Sequence, residues 1–120
     1  MGNSFGGILA LLSAEKFRVC AAVDAAGAAE SWDRSPAVRS VMTQAATRAK
    51  APVLFMQAEN DFDLAPSRIL QAAMRRAGKA AEIRLYPPFG RGARDGHAFT
   101  YRGVPLWADD IHAFLASVCR

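Results

Sequence analysis

The segment Gly2-Asn3-Ser4-Phe5-Gly6-Gly7, followed without a break by the apolar run Ile8 to Leu12, constrains this chain more than any other. A G-x-S-x-G pattern ahead of such a run marks a sharp turn from strand into helix. The serine stands at the apex, and the flanking glycines relieve the clashes that a Cβ would create there. A hydroxyl held in this way is a candidate nucleophile. With glycine and serine each at roughly 7% of residues, the pattern arises by chance about once in 3,000 windows, so its context has to carry the argument. The alternative role for Ser4 is that of a helix N-cap.

The context holds the partners that a nucleophilic serine needs, in the order Ser, Asp, His. Val53 to Ala58 is a short apolar run introduced by Pro52 and stopped by Glu59-Asn60-Asp61, which predicts a strand with Asp61 just past its C-terminal end. Ile83 to Tyr86 predicts another strand, closed by Pro87-Pro88, and a glycine-rich loop then leads to Gly96-His97-Ala98-Phe99. Asp61 and His97 are thus the candidate acid and base. Asp63 and Glu59 compete with Asp61, and His112 competes with His97 from inside the predicted last helix. Asp95 reads as a loop-turn residue.

Between these points the chain alternates helix and strand. Phe5 to about Lys16 reads as a helix apolar on nearly all sides, suited to burial behind a sheet. Val19 to Val23 reads as a strand without polar alternation, typical of a parallel sheet covered on both faces. Asp24 to Pro36 reads as a loop, with Trp32 as either a pocket wall or a core aromatic. Helices are expected over Ala37 to Lys50 and Pro66 to Ala77, with Gly78 suited to ending the second. Trp107, Ile111, Phe114, Leu115 and Val118 form one stripe of a closing amphipathic helix that Pro105 opens. The fold class expected is α/β: a single domain over residues 1–120, with about three parallel strands flanked by helices.

The motifs together resemble the dienelactone hydrolase family of the α/β-hydrolases, from Gly2 almost to the end. The resemblance runs through Gly2-Asn3-Ser4-Phe5-Gly6-Gly7, Gln57-Ala58-Glu59-Asn60-Asp61, Tyr86-Pro87-Pro88 and Asp95-Gly96-His97-Ala98-Phe99. It implies the C-terminal half of that fold, beginning at the nucleophile turn with the N-terminal strands absent. It also implies a cofactor-free hydrolase of carboxylic esters or lactones, with Ser4 as nucleophile, His97 as base and Asp61 as acid. The family's name-giving members carry cysteine at the nucleophile, where this chain has Ser4. The Phe5 N–H, next after the serine, is the oxyanion donor available in the chain. The competing expectation is an inactive hydrolase remnant that only binds or self-associates. Its motive is a Val19–Val23 strand left as an exposed sheet edge.

Composition narrows the rest. The chain has 120 residues, 52% of them hydrophobic, and a formal charge of +4. Arg75-Arg76-Ala77-Gly78-Lys79 reads as a helix C-terminus and Gly90-Arg91-Gly92-Ala93-Arg94 as a solvated loop. Neither carries the aromatic interleaving of a nucleic-acid surface, so no nucleic-acid partner is expected. The longest apolar run is too short to span a bilayer, and no membrane role is expected. Cys20 and Cys119 lack metal-ligand spacing, so no metal site is expected. Buried free thiols are the expectation for both, with a bridge as the alternative in an exported protein. Compartment stays open, with the cytoplasm slightly favoured.

Overall fold

The computed structural model describes Met1–Arg120 as ten elements, strands and helices alternating up to β4 and three helices closing the chain. They are β1 (Gly2–Asn3), α1 (Phe5–Lys16), β2 (Ala22–Ala25), α2 (Pro36–Arg48), β3 (Val53–Ala58), α3 (Ala65–Arg76), β4 (Ala81–Tyr86), α4 (Ala93–His97), α5 (Phe99–Arg102) and α6 (Val104–Val118). The strands form one parallel sheet in the order β1-β2-β3-β4. No helix is long and apolar enough to cross a membrane.

Alternation along the strands divides the core into two layers. Val53 and Phe55 of β3 face a cluster with Leu11 of α1, Met42 of α2 and Leu70 and Met74 of α3. Leu54, Met56 and Ala58 face the opposite cluster, with Phe99 of α5 and Ile111 and Phe114 of α6. All six residues of β3 are buried, as a central strand covered on both faces requires. Trp32 lies in the first cluster, so of its two expected roles the core aromatic holds. The expected stripe on the closing helix packs as a unit, with Trp107, Leu115 and Val118 flanking Ile111 and Phe114.

Several expectations need correction. The sheet has four strands rather than about three, because Gly2 and Asn3 pair in parallel with Asp24 and Ala25. The second strand runs over Ala22–Ala25, displaced from Val19–Val23. Asp24 reads as a strand terminator by its polarity, yet here it is buried mid-strand, and Val19 is exposed outside the sheet. The first helix is not covered on all sides: Leu11 and Ala14 are buried while Phe5 and Leu9 are exposed.

The cysteines are neither free nor both buried. Cys20 and Cys119 form a disulfide with Cα atoms 5.3 Å apart across 99 residues of sequence. Cys20 is exposed on the approach to β2, and Cys119 follows α6, whose apolar stripe covers the face carrying Val23 and Ala25. The pairing is a product of this helix-on-sheet packing, which no local spacing could announce.

Candidate active site

Three loops leave the C-terminal ends of parallel strands on the same side of the sheet, the place where functional groups collect in open α/β folds. Ser4 follows β1, Asp61 follows β3, and His97 closes the short helix α4 after β4. Ser4 adopts φ 56° and ψ −116°, a region that a side chain rarely occupies and that costs on the order of 1–3 kcal/mol. Its backbone N–H donates to Ala25 O at 2.8 Å, and its backbone carbonyl accepts from Gly7 and Ile8, so strand and helix both fix the turn. A Cβ at Gly2 would lie 2.0 Å from the carbonyl oxygen of Gly6, so the turn can close only over a glycine at position 2. Position 6 itself has open space around it. The Ser4 hydroxyl makes no capping bond to α1.

That hydroxyl turns to His97 instead. Ser4 Oγ lies 2.9 Å from His97 Nε2, and His97 Nδ1 lies 2.9 Å from Asp61 Oδ1. The Asp61 side chain is fully buried, and that of His97 keeps 13% of its exposure. The bond to Asp61 is the main reason the imidazole pKa is raised above its ordinary value; burial opposes it, and the charges of Asp61 and Glu30 add to it. The ring of Phe62 meets the imidazole edge-on at 5.4 Å.

Of the competing acids, Asp63 is occupied elsewhere: its Oδ1 accepts from the Ala65 N–H at the start of α3. Glu59 is exposed and joins β4 only through its backbone, donating its N–H to Tyr86 O. His112 is exposed on α6. Asp95 lies within α4 rather than in the loop turn expected of it, and it is not the orienting acid: its carboxylate accepts from the Arg91 N–H and from Arg102.

Several positioning residues fall within or beside the family motifs, but their roles were not read from the sequence. Buried Gln57 donates through Nε2 to Asp61 Oδ2 and to Asp63 O, both at 2.9 Å. Its own Oε1 accepts from buried Ser67 Oγ at 2.6 Å. The Phe62 N–H donates to the other Asp61 oxygen at 2.6 Å, so both oxygens are held. Asn60 ties the acid loop to the histidine loop, donating to Phe89 O and Gly92 O and accepting from the Phe89 N–H. A Cβ at Gly96 would lie 2.7 Å from backbone atoms of Asn60 and Asp61, and glycine there lets α4 approach closely enough to present His97. Below the turn, Asp24 is buried with one partner, the Gly27 N–H at 2.8 Å, and burial pushes its carboxyl up to about 7.

No group of three histidine, cysteine, aspartate or glutamate side chains is disposed to hold a metal ion. The arrangement can transfer a proton from a serine hydroxyl to an imidazole whose other nitrogen is held by a buried carboxylate.

A parallel sheet with helices on both faces, and a serine turn, an acid and a histidine at one end of it, is an α/β-hydrolase architecture. The sequence matches the dienelactone hydrolase family over residues 1–116, and the chain belongs to that family. Among solved structures it is similar to a protein from Klebsiella pneumoniae assigned to the dienelactone hydrolases, with TM-score 0.66 and 22% identity, covering 99% of this chain and 50% of that one. It is also similar to the acylaminoacyl peptidase of Pyrococcus horikoshii, with TM-score 0.65 and 18% identity, covering 87% of this chain and 20% of that one. An acylaminoacyl peptidase bound to a Z-Gly-Gly-Phe chloromethyl ketone gives TM-score 0.65 at 18% identity over 85% of this chain and 20% of that one. The chain thus spans half or less of the length of these structures, and at such identities they show the fold. No curated protein matches the sequence.

Proposed function

We propose that the protein is a serine hydrolase of carboxylic esters or lactones, acting through Ser4, His97 and Asp61. The observation that carries this reading is the continuous series Ser4 Oγ, His97 Nε2, His97 Nδ1 and Asp61 Oδ1, with 2.9 Å at each hydrogen bond. Neutral His97 accepts the hydroxyl proton at Nε2 as Oγ bonds to the substrate's carbonyl carbon. Asp61 holds the tautomer that leaves Nε2 free and stabilises the imidazolium that forms. The tetrahedral intermediate collapses, its C–O bond to the leaving group breaks, and Nε2 returns the proton to the departing oxygen. Water, deprotonated by the same nitrogen, then attacks the acyl carbon, and as the bond to Ser4 Oγ breaks Nε2 returns that proton to Oγ, freeing the acid.

Phe5 is the first residue of α1, and the N–H groups of a helix's first turn have no intrahelical partner. Its N–H is the proposed donor to the oxyanion, aided by the positive end of α1. Every step uses side chains and backbone of the chain, with no cofactor assigned. The experiment is hydrolysis of short-chain p-nitrophenyl esters and of a γ-lactone by the wild-type chain and by Ser4→Ala. Activity lost with Ser4→Ala supports the reading; activity equal in the two proteins sinks it.

A second property is favoured by the sheet edge. β1 pairs through two residues only, and beside it Met1, Leu9 and Val19 are exposed around a cavity of about 430 Å³. An unpaired strand edge flanked by apolar side chains promotes association between copies. Self-association is therefore proposed for this chain, and a sedimentation coefficient that stays monomeric as concentration rises would count against it.

A further inference from the structure

The atom that returns the proton to a leaving group also fixes where that leaving group lies. In the proposed reaction this atom is His97 Nε2, so the departing oxygen sits within hydrogen-bond reach of it and the rest of the group extends outward. Glu30 stands at this place. Its Oε2 lies 3.6 Å from His97 Nε2, and its side chain is 55% exposed at the mouth of the site. A cavity of about 590 Å³ lies beside it, lined in part by Glu30 and by Phe62, whose ring also packs against His97; neither His97 nor Ser4 lines that cavity itself.

The chemistry of that cavity has a sign. Glu30, Asp33 and Asp63 contribute carboxylates against one cation, Arg34. The Arg34 guanidinium turns back to the carbonyl oxygen of Glu30. Phe62 adds a half-exposed aromatic ring. A carboxylate beside an aromatic ring favours an organic cation, and most of all an ammonium too bulky to be strongly hydrated. An anionic leaving group would meet Glu30 at the moment its own oxygen gains charge.

We propose that this cavity receives the leaving group and that Glu30 makes the site selective for esters of ammonium-bearing alcohols. The inference rests on the serine hydrolase reading and adds a substrate class to it. Glu30 is exposed enough for solvent to screen much of its field, so the preference is modest, roughly threefold to tenfold, and falls as salt rises.

The test compares two acetate esters of nearly equal shape: acetylcholine, and its neutral isostere 3,3-dimethylbutyl acetate. Both are followed at low salt near pH 8.5 with the full chain and with Glu30→Gln. The ratio of their kcat/KM values is the readout, because changes at His97 or in stability act on both esters alike. A preference for the cationic ester that shrinks severalfold in Glu30→Gln is the expected result. A ratio near one in the wild type, or one indifferent to the substitution, overturns the inference and leaves the hydrolase reading intact. The same holds if neither ester turns over while Ser4 still reacts with a fluorophosphonate. If Ser4 does not react at all, the hydrolase reading fails and the inference falls with it.

Discussion

The loops at the C-terminal end of the sheet and the β1 edge meet at Ser4 and differ in how their polar groups are satisfied. At the sheet end, both oxygens of Asp61 and both ring nitrogens of His97 have hydrogen-bond partners, and Asn60 links the two loops that carry them. The buried side-chain atoms left without partners lie elsewhere, Asn3 Oδ1 on β1 and Arg84 Nε on β4, the two edge strands. The β1 side also exposes Met1, Phe5 and Leu9. The site is therefore held by loops tied to one another, while the edge depends on whatever packs beside it. Substitutions of exposed edge side chains such as Leu9 should leave the site largely unaffected, since sites without shared partners act almost additively.

The largest effect is expected at Asp61. Asp61→Asn should lower kcat for ester hydrolysis by about 10³–10⁴-fold, through loss of the tautomer and of imidazolium stabilisation. Thermal melting beside the kinetics would show whether the fold survives, and a loss under tenfold would mean that the buried network is not the working part. Next in size is the disulfide. Closing a loop of 99 residues restricts the unfolded chain by about 4–5 kcal/mol, so urea unfolding with and without reductant should differ by that order. Cys20 precedes β2, at the opposite end of the sheet from Ser4, Asp61 and His97, so Ser4 reactivity should persist in the reduced protein wherever it remains folded.

Asp24, beneath the turn, gives a pH test. Its folded-state pKa is raised to about 7 from an ordinary 3.8, so the folded protein holds a proton that the unfolded chain releases. Stability should accordingly fall as pH climbs from about 4 to about 7 and then level off. Asp24→Asn should remove that decline, exceeding the wild type in unfolding free energy at pH 8 by on the order of a few kcal/mol and converging with it near pH 4. A wild-type curve flat across this window would contradict it.

Smaller again is the effect at Gln57. Gln57→Leu leaves Asp61 Oδ2 without its side-chain donor and should cost roughly tenfold in kcat with KM little changed. Ser67→Ala, one bond further out, should cost less. Least of all should be felt from Leu9→Glu on the open face of α1: stability within about 0.5 kcal/mol, ester hydrolysis unaltered, and self-association by sedimentation reduced.

Regular, locally encoded features were legible in the sequence. Val53 to Ala58 forms a strand as its apolar run and flanking breakers require, and Pro66 and Gly78 bracket the third helix much as expected. The G-x-S-x-G turn placed Ser4, and spacing together with family resemblance singled out the Asp61 and His97 that the structure brings to it. What stayed illegible depends on distant parts of the chain. Asp24 reads as a terminator because no sequence pattern distinguishes a carboxylate that will be buried. Gln57 stands in a family motif, but its role emerges only when Asp61 and Ser67 at the start of α3 are brought against it. Cys20 and Cys119 meet only because α6 covers the β2 face. Glu30 falls in a stretch without periodicity, and its nearness to His97 belongs to the assembled fold.

The central claim is that this chain assembles Ser4, His97 and Asp61 into a reactive unit. Its most direct test is labelling of the purified protein with a fluorophosphonate serine probe, read by intact mass beside Ser4→Ala and His97→Ala. One adduct is expected on the wild-type chain and none on either variant, with labelling suppressed at acidic pH as His97 becomes protonated. An unlabelled wild-type chain that is folded by circular dichroism, or equal labelling of Ser4→Ala, would contradict it.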